Sequence, residues 1–225
     1  KCYAYSMKTF LHDPVTIETI SAVNQEDGTR AYQTPDGRLY PSVTTVLAEH
    51  TKQGIQEWRA RVGEMEANKV SRQAATWGTR FHTITEKYLQ NNLSGGDLSL
   101  WDYEMFKVAN PVLDRIDNIR AQEVALWSHH LRLAGRVDCI AEFDGKLSVI
   151  DFKTARREKD LEHIQHYFMQ AAAYAIMFEE RTKIPVSRLT ILIAVSDGFM
   201  QVFESKRDHH VEQLLYYRDV YEAYK

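Results

Sequence analysis

Apolar and polar positions change period several times along the chain, and each change predicts an element. Val15, Ile17, Thr19 and Ser21 alternate with Thr16, Glu18, Ile20 and Ala22, a weak period of two that predicts strand. Asp27-Gly28 and Asp36-Gly37 are turn dipeptides, so short hairpins are expected in the first forty residues. Pro41 to Leu47 opens a helical stretch with Ser42 as N-cap, and its β-branched residues predict a short first helix. Ile55, Trp58, Val62 and Met65 recur at spacings of three and four, which predicts an amphipathic helix over 52–70. Trp77, Phe81, Ile84 and Tyr88 repeat that pattern over 72–91.

The segment from Asn91 to Asp97 reads as a loop. Met105, Val108, Val112, Leu113 and Ile116 predict helix over 100–119, kinked or split at Pro111. From about Glu123 the period returns to two, over 124–127, 131–143 and 146–152. A long helix is expected over 160–181, then a fully buried strand over 189–195. Asp197-Gly198 turns that strand into a partner over 199–203, and 209–224 reads as an aromatic-rich helix. Most of Trp101, Tyr103 and Phe106 are expected to pack in the core, with stacking on bases as the alternative for any left exposed. This order predicts an α/β fold, a mixed sheet flanked by helices, rather than a bundle.

Length and composition narrow the picture. The 225 residues are expected to form one domain: hairpins and a helical region over 1–120, a sheet and helix core over 121–205, and a terminal helix over 206–225. A net charge of −3 excludes holding nucleic acid by bulk positive charge, but leaves room for a local basic groove. Two cysteines, Cys2 and Cys139, exclude a disulfide framework, a four-cysteine zinc site and a four-cysteine iron–sulfur cluster. A reducing, intracellular compartment is expected. The longest apolar run, over 171–178, is too short to span a membrane. No signal peptide is legible at the start, and a chain beginning without Met leaves room for a targeting segment upstream.

Chemistry concentrates between Gly135 and Thr154. Asp144-Gly145 is a strong two-residue hairpin signal. With those residues as the loop, Asp138 and Asp151 fall directly opposite each other on one face. Lys153, two residues on, projects from the same face. Paired buried carboxylates repel, and a divalent cation with a taste for oxygen ligands, Mg²⁺ or Mn²⁺, relieves the repulsion. Two acids and a lysine around such an ion suit phosphodiester hydrolysis. Gly78, His82 and Glu86 share one helix face, so His82 can offer a ring nitrogen to the ion with Glu86 orienting it. Gln170 and Tyr174 continue a polar stripe through His163 and Tyr167 and are expected to face the site. Arg156, Arg157 and Lys159 are placed to contact phosphates at a cleft mouth. Ser42, Thr44 and Thr45 can donate to a phosphate or cap a helix, and Glu123 reads as a solvated strand-start residue, with an extra acid in the site as the alternative. The pairs His129-His130 and His209-His210, and His163 with His166, lack a complete ligand set.

Gly135-x-x-Asp138 followed by Asp151-x-Lys153 resembles the PD-(D/E)XK nuclease core, and in particular its RecB-type branch. Gly78-x-x-x-His82-x-x-x-Glu86 and Gln170-x-x-x-Tyr174 are similar to that branch's first and last motifs. Tyr40 to Leu47 and Arg136 to Thr154 look like the corresponding stretches of mitochondrial genome maintenance exonucleases and related phage exonucleases. The resemblance implies a Mg²⁺- or Mn²⁺-dependent exonuclease, with Asp138, Asp151 and Lys153 catalytic. It implies His82, Asp138, Asp151 and the Phe152 carbonyl as metal ligands, and no iron–sulfur cluster. Gln170, Tyr174, Arg156, Ser42 and Thr44 become candidate DNA contacts, with Glu86 supporting. The implied substrate is DNA, single-stranded by preference, in replication, repair or recombination, with a further protein as a candidate partner. The implied location is host cytoplasm for a phage protein and mitochondrial matrix for an organellar one. The alternatives are a duplex-dependent recombination exonuclease, a structure-specific endonuclease, or a decayed DNA-binding module.

Overall fold

Two glycine turns shape the N-terminal region of the computed structural model, which describes residues 7–224. Strands β1 (Ser21–Asn24), β2 (Arg30–Gln33) and β3 (Leu39–Pro41) form a small antiparallel sheet. Gly28 and Gly37, with φ of 79° and 84°, take the positive values its turns require. The strand expected from residue 15 begins only at Ser21. Residues 13 and 15 instead donate N–H bonds to the carbonyls of Ile119 and Arg120. Cys2 lies outside the described residues.

Helix α1 runs Val43–Val62 and α2 runs Glu64–Leu89. The boundary expected near residue 71 falls at Gly63, whose φ of 83° and ψ of 151° are open essentially to glycine alone. The first helix, expected to be short, runs 20 residues and starts at Ser42, whose hydroxyl caps it by accepting the Thr45 N–H at 3.1 Å. The single amphipathic helix expected over 52–70 is split at Gly63, so Ile55, Trp58 and Val62 lie on α1 and Met65 on α2; Ile55, Val62 and Met65 are exposed, Met65 by 88%. Trp58 and Val62 line a cleft. In α2 the stripe is buried at Phe81, Ile84 and Tyr88, as expected.

Helix α3 (Leu100–Leu113) ends six residues before the expected stop, with Pro111 in its last turn. Phe106 is core, but Trp101 is 82% exposed, against expectation. Five strands follow in spatial order: β4 (Ile116–Ser128), β5 (Leu133–Phe143), β6 (Lys146–Ala155), β7 (Arg188–Val195) and β8 (Phe199–Lys206). All neighbours are antiparallel except β6 and β7, which are parallel and joined through helix α4 (Gln165–Thr182). Helix α5 (Val211–Ala223) closes the chain.

The sheet is covered on both faces, which is why β7 reads as an unbroken apolar run. On one face Phe168, Ala172, Ala175 and Phe178 of α4 pack on Val137, Val149, Ile191 and Ile193. On the other, Phe81, Ile84 and Tyr88 of α2 and Phe106 of α3 pack on Cys139, Ile150, Phe152 and Leu192.

Helices α1, α4 and α5 meet at a histidine contact. His50 Nδ1 and Tyr217 Oη are 2.7 Å apart, and the His50 and His166 rings lie 5.9 Å apart. Burial, then the charges of His50, Lys153 and Lys159, push His166 down to about 4. Between that value and an ordinary imidazole near 6.5 the unfolded chain binds the proton and the folded one does not. His166 therefore leaves full stability in place above pH 6.5, and stability is lost as pH falls toward 4. Urea midpoints at pH 7.5 and 5.5 should differ less in His166→Gln than in the wild type. Equal differences would show that His166 does not contribute to the acid lability.

Candidate active site

The site forms where β5 parts from β6. Their pairing runs from Phe143↔Lys146 to Cys139↔Ile150, about a turn in which Asp144 and Gly145 both have positive φ. This is the register that the Asp-Gly pair predicts. One step further Asp138 and Asp151 face each other, but the backbone ladder stops. Asp138 Oδ2 accepts the Phe152 N–H at 2.8 Å, in the place of a strand carbonyl. Beyond this point β6 pairs only with β7, and β5 only with β4. A strand residue points its N–H and C=O to the same side, so the Phe152 carbonyl is also aimed into the fork.

Tyr174 of α4 fills the fork from behind. A Cβ built on Gly135 would lie 2.8 Å from its Cε1 and 3.0 Å from its Oη, so only glycine leaves room for the ring. Gln170 Nε2 sits 3.4 Å from the Tyr174 hydroxyl. Gly78, by contrast, is not needed for close approach: a Cβ there would meet Thr154 Oγ1 at an ordinary 3.6 Å.

Four acidic or basic groups converge in the fork. Gln122 pairs with Cys139 and Val124 with Val137, so Glu123 stands across from Asp138, on the side opposite Asp151. Three carboxylates thus occupy one row across three strands. Glu123 has a φ of +53°, an uncommon conformation for a non-glycine residue. His82 reaches in from α2, its Nδ1 3.8 Å from Asp138 Oδ1. That is too long for a hydrogen bond, and it falls between the roughly 3 Å and 4.2 Å that adjacent and opposite ligands of one octahedral Mg²⁺ span. Ligand atoms of His82, Glu123 and Asp138 lie within 4.8 Å of one another.

Asp151 stands beside this group but leans to Lys153, whose Nζ is 2.5 Å from Oδ2. Asp151 is 1% exposed; Lys153 holds its Oδ2, and its Oδ1 has no hydrogen-bond donor among the described residues. Burial raises its carboxyl above the usual range, opposed by Lys153 and reinforced by Asp138. Burial works against the Lys153 ammonium, but Asp151 and Asp138 outweigh it and hold its pKa above the ordinary value. Burial, then Asp138 and Glu86, push Glu123 up to about 7. Excess negative charge, a buried Asp151 oxygen without a donor and an all-oxygen-and-imidazole donor set fit a hard divalent cation. His82, Glu123, Asp138 and the Phe152 carbonyl would hold it, with Asp151 adjacent.

Sequence reasoning favoured solvent for Glu123 over the alternative of an extra acid in the site. The signal it lacked was the turn between β4 and β5: residues 129–132 contain no turn dipeptide, so the register that aligns Glu123 with Asp138 could not be counted. Glu86, on α2 below His82, binds Gln122 Nε2 through its backbone carbonyl at 2.9 Å.

Arg156 and Arg157 line a cleft of about 1100 Å³ together with Trp58, Arg61, Lys159 and Tyr167. The Tyr167 ring lies 5.0 Å from Lys153 Nζ, so this cleft leads to the fork. The Ser42 hydroxyl, 3% exposed, is engaged in capping α1 and contacts Thr44 Oγ1 at 3.0 Å. Thr44 lines a separate groove beside Arg30 and Tyr221.

Residues 97–223 match the PD-(D/E)XK nuclease superfamily. The chain is 32% identical over 175 residues to mitochondrial genome maintenance exonuclease 1 of Homo sapiens, covering 71% of this chain and 50% of that protein. It is 29% identical over 173 residues to the protein of that name from Mus musculus, covering 70% and 50%. The Xenopus tropicalis protein of that name matches at 29% over 180 residues, covering 70% and 49%. The chain thus spans about half the length of these relatives. No helix among the described residues is long and apolar enough to cross a membrane.

Proposed function

Since the chain belongs to the PD-(D/E)XK nuclease superfamily, we propose that it is a divalent-cation-dependent exonuclease that hydrolyses a DNA strand from a free end. The observation that carries this reading is the fork itself: Glu123, Asp138 and Asp151 in one row, with His82 on one side and Lys153 on the other. Among the described residues, three carboxylates set against only Lys153 and the Arg136 guanidinium, 3.7 Å from Glu123, leave excess negative charge in a largely buried setting, which is costly for a fold that needs only stability.

Mg²⁺ or Mn²⁺, if held there by His82, Glu123, Asp138 and the Phe152 carbonyl, would supply Lewis-acid polarisation of the scissile phosphate and a more acidic water. The remaining work falls to the chain. His82, Glu123, Asp138 and the Phe152 carbonyl fix the ion's place. Lys153, held charged by Asp151, donates hydrogen bonds to the attacking water or to the oxygen that gains negative charge. Tyr174 and Gln170 buttress the fork from α4. Arg156, Arg157, Lys159 and Arg61 grip phosphates along the cleft that α1 and α2 wall off from the sheet. A strand confined in that cleft enters by an end, which favours exonuclease action. Preference for single strands, a DNA-maintenance role and a mitochondrial or phage setting follow from the named relatives and the motif resemblance.

End-labelled linear single and double strands should be digested beside a closed single-stranded circle, with Mn²⁺ and then with excess EDTA. The linear single strand is expected to be degraded and the circle to persist, with all activity lost in EDTA. A cut circle would reject end-dependence in favour of an endonuclease. Faster digestion of the duplex would favour the recombination-type reading. No metal-dependent hydrolysis of any substrate would leave a binding module.

A further inference from the structure

Trp101 stands at the first turn of α3 with most of its surface in solvent, and the turn that carries it is firmly fixed. Ser99 and Asp102 cap each other reciprocally, and Asp102 Oδ2 also receives the Arg80 guanidinium of α2 at 2.7 Å. Leu100 and Tyr103 are exposed beside it, so this turn presents a contiguous apolar patch on a rigid support, and such patches mark interaction sites. Across from it, Trp77 of α2 donates its indole N–H to Met105 Sδ at 2.8 Å, which sets the second ring. The two indoles border a groove of about 650 Å³ between α2, α3 and the β7–β8 turn, with Arg72 at its edge. Arg72 bonds the Asn68 carbonyl at 3.3 Å and forms no ion pair among the described residues.

The groove is continuous with the catalytic side of the molecule. Ser196 lines both it and the Arg156–Arg157 cleft. Trp77 lies five residues before His82 on α2, about 7.5 Å along the helix axis at 1.5 Å per residue. Flat aromatic faces beside a guanidinium suit bases and the phosphates between them.

We propose that the Trp77–Trp101 groove is a subsite for unpaired bases of the substrate strand, which stack on the Trp101 indole while Arg72 meets a neighbouring phosphate. The proposal deepens the nuclease reading and rests on it. A base can stack there only when it is unpaired, so the subsite also supplies this chain with a physical reason to prefer single strands.

Trp101→Ala removes no core packing, so its fold is not at risk. With a linear oligothymidylate as probe, KM for Trp101→Ala should rise about tenfold, which is about 1.4 kcal/mol and within the range for stacking one base. The loss should fall on KM rather than kcat, and Trp101→Phe should recover most of it. The probe should then carry one abasic residue at successive positions. Wild-type KM should rise at one or two adjacent positions only, and Trp101→Ala should not distinguish abasic from intact strands there. A wild type that cuts the strand, with Trp101→Ala matching its KM, overturns the subsite and leaves the nuclease reading standing; the groove would then fit a protein partner better. A wild type that neither binds nor cuts the strand overturns both.

Discussion

Asp151→Asn is expected to reduce metal-dependent strand hydrolysis by roughly a thousandfold, the order reached when a preorganised electrostatic element is removed from a catalytic site. The substitution keeps the shape of the side chain and removes its charge. It takes an anionic oxygen from beside the His82, Glu123 and Asp138 group and also frees the Lys153 ammonium from its 2.5 Å partner. Truncating one member of a buried pair costs about 3–5 kcal/mol when the other is left charged, so Asp151→Asn should also melt at a lower temperature. A second substitution separates the two effects. Asp151→Asn with Lys153→Met removes both charges and should recover much of the lost melting temperature, yet remain inactive. Activity of folded Asp151→Asn within tenfold of the wild type would show that the carboxylate takes no part in the chemistry.

Gly135→Ala should damage stability and activity together. A new Cβ would sit 2.8 Å from Tyr174 Cε1, with the ring buried on α4 and Gly135 held opposite Leu126 by the β4–β5 pairing. Neither side yields cheaply, and overpacking of this kind costs about 1–3 kcal/mol. For a chain of this size that lowers the melting temperature by about 3–10 °C. Asp138 lies three residues along the same strand, so displacement of β5 moves a candidate ligand. Hydrolysis is expected to fall at least as far as tenfold, a loss of about 1.4 kcal/mol in the transition state. Adding Tyr174→Leu should restore most of the melting temperature by making space. An unchanged melting temperature in Gly135→Ala would show that the fork accommodates the methyl and that the ring contact is not limiting.

Much of the site was legible because hairpin geometry is local. Two residues between two strands fix which positions face each other, so the Asp144-Gly145 turn set the Asp138 and Asp151 alignment. The motif on α2 was legible for the same reason: an interval of four residues keeps His82 and Glu86 on one face. Glu123 was not legible, because its position depends on a four-residue turn without a sequence signature and on a backbone conformation unusual for glutamate. The apolar spacing of Ile55, Trp58, Val62 and Met65 reads as one amphipathic helix, but Gly63 breaks it, so Met65 lies on α2 and the other three on α1. Periodicity tells which residues share a side of a helix, and only the neighbouring elements decide what that side meets.

By itself, then, the order of residues determined the elements, the β5–β6 register and the acid–acid–lysine set, since all of these follow from spacing over a few residues. Tertiary structure alone decided that β5 leaves β6 at Asp138, that Tyr174 occupies the gap over Gly135, that Glu123 completes the row and that His82 reaches Asp138 from α2. Those outcomes depend on contacts between separate elements, where packing of whole faces, rather than local preference, selects the arrangement.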